Sequence, residues 1–135
     1  MLKALDTNIV VRLFVDDGSK EVPIARAVFA REMVEIPTTV ILECAWVLES
    51  VYKIKRLQIC DALAALLSME NVFLQDEEVV EKAIEAHRLG VDLADALHLL
   101  AVEKADEMLT FDGDFKNRAR RMTNALPVRV PQLIE

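Results

Sequence analysis

Short apolar runs of strand length alternate with helix-length amphipathic segments along this chain, and that alternation restricts its fold more than any other feature. Leu2 to Leu5 reads as a buried strand, and it runs directly into a helical pattern from Asn8 to Val15, closed by the turn residues Asp17 and Gly18. Val22 to Val34 keeps helical spacing, Glu35-Ile36-Pro37 suits a brief strand, and Thr38 or Thr39 is placed to cap a helix reaching about Tyr52. Gln58 to Met69 is helical in pattern, Asn71 to Leu74 strand-like, and Glu77 to Arg88 a charged helix ended by Gly90. Asp92 to Lys104 reads as a helix opening on an aspartate cap. The order then repeats: a strand over Glu107 to Thr110, a helix over Asp114 to Met122, and a last strand from Leu126 to Val130. Strands separated by helices imply an α/β domain with a short parallel sheet and helices on both faces.

The chain has 135 residues, 53% of them apolar, enough for one domain over 1–135 with a core that needs no disulfide or structural metal. Cys44 and Cys60 lie in apolar stretches without zinc-site spacing, which points to a reducing compartment. The first acid, Asp6, interrupts the start before a signal-peptide core forms, and no apolar run has the length of a membrane span, so the cytoplasm is expected. A net charge of −7 argues against attachment to nucleic acid or anionic lipid by bulk positive charge, so any such contact is local.

In parallel sheets, ligands bind beyond the carboxyl ends of the strands, which singles out the polar residues placed there. Asp6 follows the first strand and Asp112 follows the strand over Glu107 to Thr110; each also fits a helix N-cap. Glu43 falls on a helical stripe with Thr39, Val40, Trp46 and Val47 that is expected to face the protein, where a carboxylate needs a partner or a cation unless its long side chain reaches water. Asp95 sits between Ala94 and Ala96, one turn from Asp92, and either aspartate can point into a site or serve the helix N-terminus. If Asp6, Glu43, Asp95 and Asp112 converge, four carboxylates stay ionised together only with divalent cations among them. Oxygen ligands without Cys or His select Mg²⁺ or Mn²⁺, and such ions commonly complete their shells with phosphate oxygens. A pair of them supports in-line displacement at a phosphoester by an activated water.

The strand-ending Leu5-Asp6-Thr7-Asn8, the helical Glu43, the Ala94-Asp95-Ala96-Leu97 segment and the run Thr110-Phe111-Asp112-Gly113-Asp114-Phe115 resemble, in order, the successive acidic motifs of the PIN-domain family. The likeness extends over nearly the whole chain and is strongest to the VapC-type toxins of toxin–antitoxin pairs. It implies a three-layer sandwich and Mg²⁺- or Mn²⁺-dependent hydrolysis of single-stranded RNA. It also implies a homodimer restrained by a cognate antitoxin. Carried onto this chain, the resemblance makes Asp6, Glu43, Asp95 and Asp112 the metal-site acids and Asp114 an accessory one. Asn8 then braces Asp6, and Thr110 is the hydroxyl residue that precedes the last acid.

Lys116, Arg118, Arg120, Arg121 and Arg129 concentrate positive charge just after the last acidic motif, a candidate phosphate track or else a solvated helix face. His98, three residues after Asp95, is read as a hydrogen-bonded structural residue rather than a base, and His87 as surface. Trp46 and the run Leu63, Leu66, Leu67 read as core in preference to a dimer interface. Two other function classes compete. A phosphatase with Asp6 as nucleophile lacks a second aspartate two residues on, where Asn8 stands. A binding module with a relict acidic site is the non-enzymatic alternative, and it has no reason to keep a full set of mutually repelling acids.

Overall fold

A computed structural model describes residues 1–133. Among them are five strands, β1 (Leu2–Ala4), β2 (Met33–Ile36), β3 (Val72–Leu74), β4 (Met108–Leu109) and β5 (Val128–Arg129). The seven helices are α1 (Thr7–Phe14), α2 (Glu21–Arg31), α3 (Thr38–Ser50), α4 (Arg56–Ser68), α5 (Glu77–Arg88), α6 (Leu93–Ala101) and α7 (Gly113–Ala119). The fold is α/β with short parallel sheets, as the alternation of the sequence requires. β1, β2 and β3 form one sheet with β2 in the middle, in the registers Leu2↔Met33 and Val34↔Val72, and β4 pairs with β5 in a second. Because the strands of the first sheet are parallel, the starts of α1 and α3 and the residue Gln75 leave it at one edge.

Alternate residues of β2 differ in exposure: Val34 and Ile36 are buried, Met33 and Glu35 are not. One face of this sheet therefore carries the main core, while on the other Leu2, Met33 and Phe73 are about half exposed. The main core runs from Leu5 to Leu97 and includes Ile41, Leu48, Leu63, Leu66 and Ile84. A smaller cluster of Leu99, Phe115 and Ala119 supports β4, α7 and β5, and Met122 packs against both. The two regions are also tied by Arg121, whose guanidinium donates to the Leu89 carbonyl at 2.8 Å.

Local chemistry explains most element ends. Asp6, Asp92 and Asp112 each cap a helix with a side-chain carboxylate. α5 ends at Gly90 with φ +100°, its N–H bonded to the His87 carbonyl and that of Val91 to Ala86, a Schellman closure in which glycine takes the left-handed position. A Cβ on Gly90 would stand 2.5 Å from the Arg121 guanidinium, so the same glycine leaves room for the tie between the two regions. The expected Thr38 cap is not used: Pro37 occupies the cap position, and the Thr38 N–H and hydroxyl donate instead to Gln75 at 3.2 and 3.1 Å. That bond links the ends of β2 and β3 and seats the start of α3. α2 stops at Arg31, three residues before the helix expected from periodicity, because Met33 and Val34 are drawn into β2.

Both thiols are fully buried, which pushes Cys44 up to about 12 and raises Cys60 as well. The thiolate is the reactive form, so native protein at pH 8 is expected to react with an aromatic disulfide reagent far more slowly than protein in guanidinium, which should release both thiols. Prompt reaction of either native thiol would contradict this burial. These thiols ionise more easily in the unfolded chain. Their contribution to stability is therefore complete below the ordinary thiol value and is lost as the pH rises from there toward about 12.

Candidate active site

Asp6 closes β1, and its carboxylate accepts the Thr7 N–H at 2.7 Å while Thr7 itself is buried. Asp6 and Glu43 line one cleft of about 240 Å³ together with Asn8, Arg12 and Tyr52. Asn8 thus shares the cleft, but the hydrogen bond that orients Asp6 comes from the Thr7 backbone rather than from the Asn8 amide. Arg12, one turn beyond Asn8 on α1, brings a cation to the wall; its guanidinium is anchored by Glu21 at 3.1 Å and Asp17 at 3.5 Å. The spacing from Asn8 was the available signal for this residue, and the reading by motif passed over it.

Glu43 stands on an outward face of α3. The buried face is Ile41, Cys44, Ala45 and Leu48, so of the stripe expected to turn inward Thr39, Glu43 and Trp46 turn out instead, while Val40 and Val47 are half-buried against the core. α3 is apolar on nearly every side, and periodicity alone could not choose the face. Trp46 is accordingly 62% exposed and not part of the core, whereas Leu63 and Leu66 are core as expected and Leu67 is half-buried. Glu43 also lines a second cavity, of about 500 Å³, with Trp46, Glu49, Asp92 and Ala94. One side chain therefore borders both the Asp6 cleft and the space in front of α6.

Asp95 is half-buried at the first turn of α6, and its N–H reaches the Asp92 carboxylate at 3.4 Å. Its carboxyl is pushed above the usual range, first by burial and then by the charges of Asp92 and Asp112, with His98 and Arg118 opposing. This coupling puts Asp92, Asp95 and Asp112 in one electrostatic neighbourhood although Asp112 belongs to a different strand–helix unit. Asp112 follows β4; its N–H is held by the Thr110 hydroxyl at 3.0 Å, and its carboxylate accepts the N–H groups of Asp114 and Phe115 at 2.9 and 3.1 Å. Asp114 is exposed in the first turn of α7. Phe111, beside Asp112, is 87% exposed.

The donor set is all oxygen, and the mutual repulsion felt by Asp95 is the kind a divalent cation relieves. Among the described residues, no three Asp, Glu, His or Cys side chains form a ready-made metal site. One carboxylate oxygen each of Asp6 and Asp112 is taken up by its own helix N-terminus.

The basic segment divides. Lys116, Arg118 and Arg120 lie along α7 and its C-cap, with Arg118 and Arg120 exposed. Arg121 donates to the Leu89 carbonyl, and Arg129 pairs with Glu107 at 2.9 Å, so each of these two makes a structural contact from the protein surface. The histidines exchange the roles expected of them. His87 is 7% exposed, its Nδ1 bonded to the Val91 carbonyl at 2.7 Å by the same fold-back that closes α5, while His98 is exposed on α6.

No helix among the described residues is long and apolar enough to cross a membrane. No curated protein is similar enough to extend the comparison. The sequence model of the PIN domain matches residues 3–121, from the first strand through the last acidic motif and α7, and on that match the chain belongs to the PIN domain family, whose fold is of the nuclease type.

Proposed function

We propose that this protein, as a single domain over 1–135, is an endoribonuclease that cleaves single-stranded RNA with Mg²⁺ or Mn²⁺. The observation that supports it is the position of Glu43, which borders the Asp6 cleft on one side and the Asp92 cavity on the other, with Asp95 in turn coupled to Asp112. Acids from four separate elements are thereby linked pairwise, Asp6 to Glu43 by a shared cleft and Asp95 to Asp112 by their charges. Asp6, Glu43, Asp95 and Asp112 would hold the ions, with Asp114 as an accessory ligand. Bound there, the ions supply an activated water and stabilise the leaving oxygen.

The protein's own contribution is placement. The Thr7 N–H fixes the first carboxylate, the α7 N-terminus fixes the last while the Thr110 hydroxyl holds the Asp112 backbone N–H, and the partly desolvated Asp95 attracts a cation more strongly than an exposed acid does. Lys116, Arg118 and Arg120 lie beside Asp112 and Asp114 and offer a local counter-charge to the RNA backbone on an otherwise acidic molecule. The same reading makes the chain the toxin of a type II toxin–antitoxin pair, a cytoplasmic homodimer held in check by an antitoxin.

Cleavage of a mixed RNA pool tests this reading. The purified chain should cut RNA with Mg²⁺ or Mn²⁺, fall silent with EDTA, and fall silent when Asp95 is replaced by Asn in an identically prepared sample. If the variant cuts as fast as the parent, Asp95 is not part of the site. If neither cuts and Mn²⁺ fails to raise the melting temperature, the relict-site reading replaces this one, because a bound ion stabilises the native state by mass action.

A further inference from the structure

Trp46 is the one tryptophan of the chain, and 62% of its surface is exposed, an unusual use of so large an apolar group. It stands three residues after Glu43 on α3, so the two side chains are neighbours, roughly 5–6 Å apart at Cβ. The cavity they share, about 500 Å³, is walled by the apolar Leu42, Leu93 and Ala94 and rimmed by the carboxylates of Glu49 and Asp92. No Lys or Arg lines it. Its remaining polar lining is Thr39 and the buried His87, whose Nδ1 is taken by the Val91 carbonyl, so a phosphate meets chiefly carboxylates, whereas a flat, uncharged ring that presents N–H donors to the rim finds several acceptors.

We infer that this cavity is a base pocket, in which a nucleobase of the RNA next to the cleaved linkage stacks on the Trp46 indole and offers its amino edge to Glu49 and Asp92. This rests on the nuclease reading above and adds to it a choice of base. Carboxylates only accept hydrogen bonds, so the rim favours a base whose pairing edge carries adjacent donors. Guanine, with N1–H beside its exocyclic amine, fits. Uracil, whose single N–H lies between two carbonyl oxygens, sets acceptors against acceptors. The pocket also lies where a base must be unstacked to enter, which agrees with a single-stranded substrate.

The lone tryptophan makes the test direct. Two hexaribonucleotides, all uridine or with one central guanosine, are titrated into the protein with Ca²⁺ in place of Mg²⁺ so that the strand stays intact. Indole emission and the anisotropy of a labelled strand are read together. The guanosine strand is expected to quench the indole saturably and bind about tenfold more tightly than the uridine strand. Trp46→Leu should weaken its binding by about tenfold, the scale of one lost stacking contact, while Trp46→Phe keeps most of it. Unchanged melting of both variants, as an exposed site predicts, shows that they are folded. If anisotropy reports binding while the emission and the Trp46→Leu affinity do not change, the pocket is wrong and the nuclease reading stands. If no strand binds and the RNA pool is not cut, the nuclease reading fails and takes the pocket with it. Equal quenching by both strands overturns the choice of base, and emission that shifts with protein concentration alone overturns the pocket in favour of a second copy covering Trp46.

Discussion

Replacing Asp112 by Asn is expected to lower RNA cleavage by at least about 100-fold, since loss even of outer-shell support around a metal ligand costs about 10- to 100-fold, and to leave the fold intact. Two roles meet in this side chain. Its carboxylate caps α7 by accepting the N–H groups of Asp114 and Phe115, and its charge lies beside Asp95. Asn caps a helix about as well as Asp, so the substitution removes the charge and keeps the cap. Asp112→Ala removes both. It should lose about 1 kcal/mol of stability from the cap in addition to the activity, because Phe115, held by that cap, is a buried member of the smaller core. Cleavage rates and melting curves on the three proteins separate the roles. If the Asn variant cleaves at the parental rate, Asp112 is a helix cap and the metal assignment fails there.

Where the sequence carries a local signal, the structure follows it closely. α5 spans Glu77–Arg88 as expected, because charged residues mark its outer face and Gly90 is the residue that a left-handed closure demands. The departures come where distant partners decide. Val34 continues a helical spacing from α2, yet it pairs with Val72 and belongs to β2. Trp46 and Glu43 lie on the outer face of α3 since Ile41, Cys44 and Leu48 fill the core instead, a choice between equally apolar stripes that only packing makes. His87 is buried by the Schellman turn that folds Val91 back over it, which its polar neighbours conceal.

The candidate site shows the same division. The acids were legible as residues, since Asp6, Asp95 and Asp112 each follow a strand or stand in a first helical turn and Glu43 interrupts an apolar helical stripe. What they share was not, because the link through Glu43 and the coupling of Asp95 to Asp112 are properties of the assembled surface. Arg121 adds a second case: inside a basic run, it also donates to the carbonyl of Leu89, 32 positions away, a tie that the run does not disclose.

A core substitution remote from the acids should dissociate stability from activity in the reverse direction. Leu63 on α4 is 1% exposed, in the layer where α4 packs on α5, a contact marked by the Cys60 thiol approaching the Ile84 carbonyl and by the Arg88–Asp61 pair at 2.7 Å. Truncation to Ala removes three carbon atoms from a region with no polar lining to admit water, so the cost is lost burial plus an unfilled void. That amounts to about 3 kcal/mol, within the usual span of about 2–5 kcal/mol for buried Leu to Ala. For a chain of this size it corresponds to a fall in melting temperature of about 10 °C. Cleavage measured well below the new transition should keep the parental rate, because neither cavity bordered by Glu43 includes α4. A variant that melts normally would mean that Leu63 is not packed as described. One that melts early and also loses activity in the cold would mean that the α4–α5 layer positions the acids on α6, and that the site extends through the helices behind it.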